Sequence, residues 1–449
     1  MSIKSTIAKL GLGHMIDQVY ENPEEGMQTL LGWADKFSKG EYPTQRRIIR
    51  EIVEDKENPY NPFIHKIFTD LDEDVVKKLL VNYFVYANLA GGPVQQENRE
   101  KYQCNIPWAI LLDPTSACNL HCTGCWAAEY GNKLNLSYEE IDDIIRQGKD
   151  LGIYMYIYTG GEPLVRKKDL IKLCEKHDDC VFLTFTNGTL IDEAFADEML
   201  RVGNLVPAIS LEGFEGATDS RRGKGVYEHV LRAMRLLKEK RLPFGISACY
   251  TSQNYESISS EEFYDLMIEE GAYFVWFFHY MPVGNDADTA LLPTPKQREG
   301  MYRKIRKYRA EKPLFAMDFQ NDAEYVGGCI AGGRNYLHIN ANGDIDPCVF
   351  IHYSDSNIRE KTLLEALQSP LFMQYHDNMP FNENMLKPCP MLENSGKIVE
   401  MVRAAKAHST DLQSPESAEH LCEKTKQYAE NWNPTAERLW EESLEAKRQ

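Results

Sequence analysis

Hydrophobic positions change their period twice along the chain. Through about residue 105 they recur at helical spacings: Leu30, Leu31, Trp33 and Ala34, then Ile48, Ile49, Ile52 and Val53, then Val75, Val76, Leu79 and Leu80, with Asn22-Pro23 and Asn58-Pro59 as breakers. From Pro107 short apolar runs take over. They predict strands at 109–113, 153–158, 181–186, 206–211, 244–250 and 273–280, separated by helices at 137–152, 166–176, 192–202, 225–240 and 260–271. Ser137 and Ser260, each followed by glutamates, supply N-cap hydroxyls for two of these helices. A strand every roughly 25 to 45 residues is the length of a strand-helix-strand unit, and six in series predict an α/β fold on a parallel, barrel-like sheet.

After residue 290 the pattern shifts again. Pro295 opens a helix to about Ala310, segments 336–339 and 344–350 flank Asn340-Ala-Asn-Gly-Asp as a hairpin, and charged amphipathic helices follow Pro390, one of them starting at Ser414-Pro-Glu-Ser. The expected organisation is a helical extension (1–105), the strand-helix core (106–290), a hairpin-bearing region (291–395) and C-terminal helices (396–449).

Composition narrows the function. The 449 residues are enough for a substantial core, and 43% hydrophobic with 26% charged residues is an ordinary globular balance. No run of about 18 apolar residues predicts a membrane span. A net charge of −18 without any basic block disfavours a nucleic-acid partner. The first residues lack an apolar core with a small-residue cleavage site, so a cytoplasmic location is expected.

The 11 cysteines, an odd number, argue against a disulfide framework and for metal-binding thiols. Cys118, Cys122 and Cys125, spaced C-x3-C-x2-C, follow the first strand directly. On a loop, no helix or sheet period forces three such thiolates apart. Zinc is the alternative, but a structural zinc wants four ligands and no matching second knuckle exists. An iron-sulfur cube on three cysteines leaves one iron open to a second molecule.

This cysteine motif, after the first strand of a six-unit series, resembles the radical S-adenosylmethionine (SAM) enzymes. The resemblance implies a partial (β/α)6 TIM-like barrel. It also implies a 4Fe-4S cluster that binds SAM, its reductive cleavage to a 5′-deoxyadenosyl radical, and hydrogen abstraction from a substrate. Further segments fit. Gly160-Gly161-Glu162-Pro163 after the second strand is similar to the family's turn for the methionine amino group; Ser210-Leu-Glu212-Gly after the fourth, with Arg221 and Arg222 downstream, is similar to its ribose and carboxylate segment; Met281, after the sixth, is placed toward adenine. Glu212 replaces the family's aspartate, and either arginine can point inward. Gly124 stands where many members carry an aromatic residue before the third cysteine, and Trp126 is read as packing.

Cys329, Gly343 and Cys348 resemble the first half of a SPASM-type auxiliary-cluster extension. A truncated version is expected to hold one auxiliary iron-sulfur cluster through Cys329, Cys348 and Cys389, with Cys422, His352, a substrate atom or nothing as fourth ligand. Cys104, Cys174, Cys180 and Cys249 are read as structural, although Cys249 on a barrel strand could return a hydrogen atom to a product radical. His121, His279 and His338 are read as packing residues. The implied partners are a flavodoxin- or ferredoxin-type reductant and a peptide, lipid or small-molecule substrate, which is oxidised or joined through a new C–C or C–heteroatom bond. Ile3, Ile7 and Leu10, with Lys4 and Lys9, form a short amphipathic face expected to dock on the protein's own core, with a membrane surface as the alternative. The aromatic strand 274–280 is a second reason to consider lipid. The competing reading is a non-catalytic iron-sulfur electron-transfer or sensor protein.

Overall fold

A computed structural model describes residues 3–37, 43–127, 130–284 and 286–448. Its centre is a nine-stranded sheet built from β1 (Ala109–Leu112), β2 (Met155–Tyr158), β3 (Val181–Thr186), β4 (Leu205–Ser210), β5 (Gly245–Tyr250), β6 (Phe274–His279), β7 (Phe315–Asp318), β8 (Tyr336–Ile339) and β9 (Ile345–Asp346). The spatial order is β7-β6-β5-β4-β3-β2-β1-β8-β9. The six expected strands lie side by side in chain order and parallel. Two further parallel strands, β7 beside β6 and β8 beside β1, extend this partial barrel at its two edges.

Alternation along each strand separates two cores. On β1, Ile110 and Leu112 join the layer beneath the surrounding helices, whereas Ala109 and Leu111 join the cluster inside the barrel. On β6, Phe274, Trp276 and Phe278 are part-exposed toward the interior while Val275 and Phe277 are buried under helices. The helices start where the caps were expected: Ser137 and Glu140 form a capping box, Ser260 accepts from Phe263 N, and Thr294 with Gln297 caps Pro295–Glu311. The helix Pro295–Glu311 leads into β7, so the barrel continues past residue 290.

Three expectations are corrected. The segment 336–339 does pair with its hairpin partner, but its other edge pairs with β1, Ala109 facing Tyr336 and Leu112 facing Ile339. The partner strand is two residues rather than seven, because Pro347 cannot donate to a ladder and the chain turns at Cys348, whose carbonyl accepts from Ile351 N. The last helix begins at Ala418, not at Ser414: the Ser417 hydroxyl accepts from His420 N at 3.1 Å and caps it there. In the first helix (Ile3–Glu21), Ala8, Leu12 and Ile16 turn inward, while Ile7 and Leu10 are 54% and 70% exposed, so these two residues of the expected face do not dock on the core; the side chains of Ile3 and Lys4 lie outside the described residues.

The extension is helical as expected, through Tyr102. It is fastened to the barrel by buried amides. Asn82 Nδ2 donates to the Asp178 and Cys180 carbonyls at 2.8 Å each, and Gln95 Nε2 donates to the Gly152 carbonyl at 2.8 Å.

Candidate active site

The loop after β1 carries Cys118, Cys122 and Cys125 as free, part-exposed thiols. They line one cavity of about 340 Å³, and so do Gly160, Gly161, Glu162, Ser210, Arg221, Arg222 and Met281. Every SAM-site residue expected from sequence is therefore brought to a single chamber at the C-terminal ends of the strands, where barrels place their chemistry.

The glycine turn is fused to the cysteine loop by backbone. Gly161 N donates to the Thr115 carbonyl at 3.0 Å and Glu162 N to the Ala117 carbonyl at 2.8 Å. Gly160 has φ +101°, and a Cβ at Gly161 would stand 2.3 Å from the Ala117 oxygen. Glycine is required here by this loop-on-loop contact as well as by any ligand. The Glu162 carboxylate is already engaged, accepting from Thr186 Oγ1 (2.7 Å), Asn187 N (2.7 Å) and Leu164 N (2.9 Å). Burial pushes its pKa up against these hydrogen bonds.

A short helix, Glu215–Arg222, which the sequence pattern did not reveal, presents both arginines. Each reaches Glu212, which has no exposed surface; the Arg221 Nη1 to Glu212 Oε1 distance is 2.7 Å and Arg222 Nε donates to the same oxygen at 2.9 Å. The other carboxylate oxygen accepts from Cys249 N at 3.0 Å. Burial works to raise the Glu212 pKa, but the two guanidiniums outweigh it and hold the carboxyl below its ordinary value. Two cations against one anion leave positive charge beside the thiols. Arg222 Nη1 lies 3.8 Å from Cys122 Sγ, and Arg221 Nε donates to the Thr123 carbonyl at 3.2 Å. Burial raises the Cys122 thiol and Arg222 counters it, whereas Cys118, without such a partner, is pushed up to about 11.

Gly124 has φ +67°, and a Cβ there would stand 2.7 Å from the Tyr280 ring, so an aromatic from the end of β6 fills the space before the third cysteine. Trp126 also lines the chamber and stands edge-on to His338, His352 and Phe350. Cys249 also lines the chamber. Cys104, Cys174 and Cys180 are buried elsewhere, their thiols raised by desolvation.

Behind the loop, His338 on β8 lies between two carboxylates, Asp113 Oδ1 at 2.9 Å and Asp346 Oδ2 at 3.3 Å, all three without meaningful exposure. Burial opposes the imidazolium, but the carboxylates prevail and lift its pKa to about 9. His279 is the opposite case. Its Nδ1 donates to the Tyr280 carbonyl, its Nε2 accepts from Tyr428 Oη, and burial with the nearby Arg298 holds it well below its ordinary value.

Cys329, Cys348 and Cys389 come together from three separate segments, each thiol within the electrostatic reach of another of the three. Tyr336 Oη lies 2.8 Å from Cys348 Sγ. Cys389 Sγ accepts from Met391 N and Leu392 N, both at 3.4 Å. Neither protein candidate for a fourth ligand joins them. Both nitrogens of His352 are taken, Nδ1 by Asp411 and Nε2 by the Val349 carbonyl, and Cys422 bonds Ser395 Oγ at 3.4 Å on the last helix. Arg298, invisible as a site residue in sequence, anchors the third segment: fully buried under the Trp432 ring, it pairs at 2.6 Å with Glu393, whose other oxygen accepts from Cys389 N at 2.9 Å.

Among the described residues no three Cys, His, Asp or Glu side chains converge on a single ion. Thiolates are the usual ligands of iron-sulfur clusters, which spread them over several metal corners, whereas zinc gathers its sulfurs at about 2.3 Å from one point. All 11 cysteines are free thiols. The fold and its chamber define a barrel enzyme whose chemistry is carried by a cysteine-held metal-sulfur centre.

Comparison with known proteins gives that class its family. Residues 112–267 match the radical SAM superfamily, and residues 329–391 match SPASM, an iron-sulfur cluster-binding domain. AdoMet-dependent heme synthase of Methanosarcina barkeri is 24% identical over 294 residues, 59% of this chain and 83% of that protein. PqqA peptide cyclase of Gluconobacter oxydans is 27% identical over 311 residues, 64% of this chain and 83% of that one. In fold, the chain is similar to Streptococcus suis SuiB bound to its precursor peptide SuiA, with a TM-score of 0.56 at 21% identity, covering 70% of this chain and 78% of that one. The protein is a radical SAM enzyme with a SPASM-type iron-sulfur region. Its cofactors are a SAM-binding 4Fe-4S cluster, SAM and an auxiliary iron-sulfur cluster. No described helix is long and apolar enough to cross a membrane.

Proposed function

We propose that Cys118, Cys122 and Cys125 hold the catalytic cluster, that Gly160, Gly161, Glu162, Ser210, Arg221, Arg222 and Met281 surround SAM, and that Cys329, Cys348 and Cys389 hold the auxiliary cluster. The substrate is a lipid, and the group it presents to the site is an uncharged hydrocarbon chain. When bound, the reduced cluster and SAM supply a carbon-centred radical that removes a hydrogen atom from an unactivated C–H bond.

The observation that carries the substrate reading is the distribution of charge in the chamber. Its ionised side chains, Glu162, Arg221 and Arg222, all stand at the cysteine end, and each is engaged with protein partners. Away from that end the lining includes Leu111, Trp276, Phe278, Phe319 and Phe350; its polar groups, Ser247, Asn335 and Tyr336, carry no charge, and the one histidine, His279, is neutral. A carboxylate or phosphate brought there would lose its water and find no cation, at a cost of several kcal/mol. A hydrocarbon gains about 0.8 kcal/mol for each CH2 buried. The lining reaches Trp108 and Asn335 at the N-terminal ends of β1 and β8, so the chamber runs the depth of the barrel. Beside Trp108 stands Tyr83, 5.9 Å away ring to ring, and then Phe84; these two are 42% and 47% exposed and give an apolar approach from the surface. The exposed Ile7 and Leu10 belong to the same helical extension.

A second reading has a specific support. The names of the PqqA peptide cyclase and of SuiB with its precursor peptide favour an apolar peptide side chain in the same chamber. The two separate in anaerobic turnover with reductant, SAM and vesicles of acyl-deuterated phospholipid. Deuterium in 5′-deoxyadenosine, with a mass-shifted lipid product that reports the bond formed, is the expected result. Unlabelled 5′-deoxyadenosine and an unchanged lipid pool overturn the lipid reading.

A further inference from the structure

The helix Pro370–Asn378, inside the SPASM-matched region, carries one side chain that no sequence motif singles out. Tyr375 has no exposed surface, and its hydroxyl has no hydrogen-bond partner. A buried hydroxyl without an acceptor is costly to keep, on the order of 1–3 kcal/mol. Several other buried hydroxyls share that condition, among them Tyr20 and Tyr264. Tyr375 differs in its surroundings: it packs on Gly332, which lies three residues after Cys329 and donates its N–H at 2.8 Å to the carbonyl of Pro347, the residue before Cys348, and after burial the thiols of Cys329, Cys348 and Cys389 act most strongly on its hydroxyl. The ring is also fixed. Gly332, at φ +61°, packs so closely that a Cβ there would stand 2.3 Å from Tyr375 Cβ, and Phe381 closes edge-on at 5.5 Å. A second phenol, Tyr336, already touches Cys348 Sγ at 2.8 Å, and Phe350 N donates to the same sulfur at 3.4 Å. Thus a constrained O–H donor, lacking any protein acceptor, is buried in the same region as the three thiols, of which Cys348 and Cys389 already receive hydrogen bonds.

We propose that Tyr375 donates its hydroxyl hydrogen bond to the auxiliary iron-sulfur cluster and, with Tyr336, sets the potential at which that cluster accepts an electron. The proposal rests on the assignment of the auxiliary cluster to Cys329, Cys348 and Cys389. Donors to cluster or cysteinyl sulfur stabilise the reduced form, which carries one more negative charge, and so raise the potential. No bond is made or broken; Tyr375 acts as a positioning and tuning residue, not as a catalytic one.

The test uses the full chain with Cys118, Cys122 and Cys125 all changed to alanine, so that only the auxiliary cluster contributes signal. In that background Tyr375→Phe is expected to retain iron and sulfide and to need a lower potential for reduction. At fixed potential its ratio of reduced to oxidised cluster should fall about tenfold, which for one electron is about 59 mV. Tyr20→Phe, at an orphan hydroxyl away from the cysteines, should leave the potential unchanged. An iron-replete Tyr375→Phe with an unshifted potential overturns the proposal. Should that variant lose its iron, pulsed electron paramagnetic resonance of the reduced cluster decides with Tyr375 intact, with Tyr336→Phe removing the other phenol and with tyrosine deuterated at the two ring positions beside the hydroxyl, a label that the backbone N–H donors do not carry. A coupled ring deuteron supports the donor role, and its absence overturns it. Failure of the underlying assignment looks different: Cys329→Ala, Cys348→Ala and Cys389→Ala would each keep the auxiliary iron.

Discussion

The two cysteine trios are held in contrasting ways. Cys118, Cys122 and Cys125 ride on a single loop, open to a chamber and backed by the guanidiniums of Arg221 and Arg222. Cys329, Cys348 and Cys389 come from three segments tied together by the Tyr336 phenol, apolar side chains and the buried Arg298–Glu393 pair. A centre that must admit and release SAM benefits from an accessible face and fixed positive charge. A centre that only passes or stores an electron benefits from insulation and from neutral donors, which tune without adding charge. The contrast explains why one trio is readable in sequence and the other only partly so.

The largest effect should come from breaking the first trio alone. Changing Cys118, Cys122 or Cys125 to alanine is expected to lower 5′-deoxyadenosine formation to background in a chromatographic assay, while the auxiliary iron stays. Retained SAM cleavage in any of these variants would dissolve the distinction. The reciprocal change, Cys348→Ala, should remove the auxiliary iron and the product yet leave SAM cleavage measurable.

Charge burial sharpens the contrast next. Glu212→Gln leaves two guanidiniums without their carboxylate, and Arg298→Met leaves Glu393 buried alone. Loss of one member of a buried pair costs about 3–5 kcal/mol. Both variants should therefore lower the denaturant midpoint of the cluster-free protein. Only Glu212→Gln should also weaken SAM binding by isothermal titration of the reconstituted enzyme.

His338 gives a pH signature. Its pKa is raised to about 9 from the ordinary 6.5, so its charge stabilises the fold fully below about pH 6.5 and that support disappears as the pH rises through 9. The cluster-free wild type should exceed His338→Gln by on the order of 3 kcal/mol near pH 7, the value of a shift of roughly two and a half units. That difference should shrink by this amount as the pH rises past 9.5 in denaturant titrations, leaving only the part due to packing and neutral hydrogen bonds. A constant difference across that range would show that His338 acts through packing alone. The smallest effect concerns the chamber. Trp276→Ala should change KM or the preferred chain length severalfold and leave basal SAM cleavage nearly intact.

Much of the catalytic half was legible because its determinants are local. Cys118, Cys122 and Cys125 lie within eight residues, and short apolar runs separated by helical stretches located the six strands and five of the helices between them. The partners of Glu212 were half legible: both arginines were visible, but not that they converge on one carboxylate, since the helix that presents them is only eight residues long and mostly polar. The rest depends on contacts distant in sequence. Nothing near residue 375 announces a phenol facing cysteines 329, 348 and 389, and Arg298 reads as one more charge on an exposed helix until Trp432 covers it. The end of the chain was misplaced for a related reason. Two serines three residues apart offer equal caps, and Glu416, held by Ser409, selects Ser417.

The pairing of β1 with β8 also orders events in time. The strand that launches the catalytic loop keeps one edge without its partner until residue 339 has been synthesised, and Asp113 waits for His338 across a separation of 225 residues. Such a long-range closure is slow, and it leaves an open strand edge during chain growth. The segment that closes it leads within nine residues to Cys348. Cluster delivery to the catalytic loop is thereby linked to completion of the auxiliary region, so a chain truncated before β8 should be a poor acceptor of either centre even though it contains the whole catalytic motif.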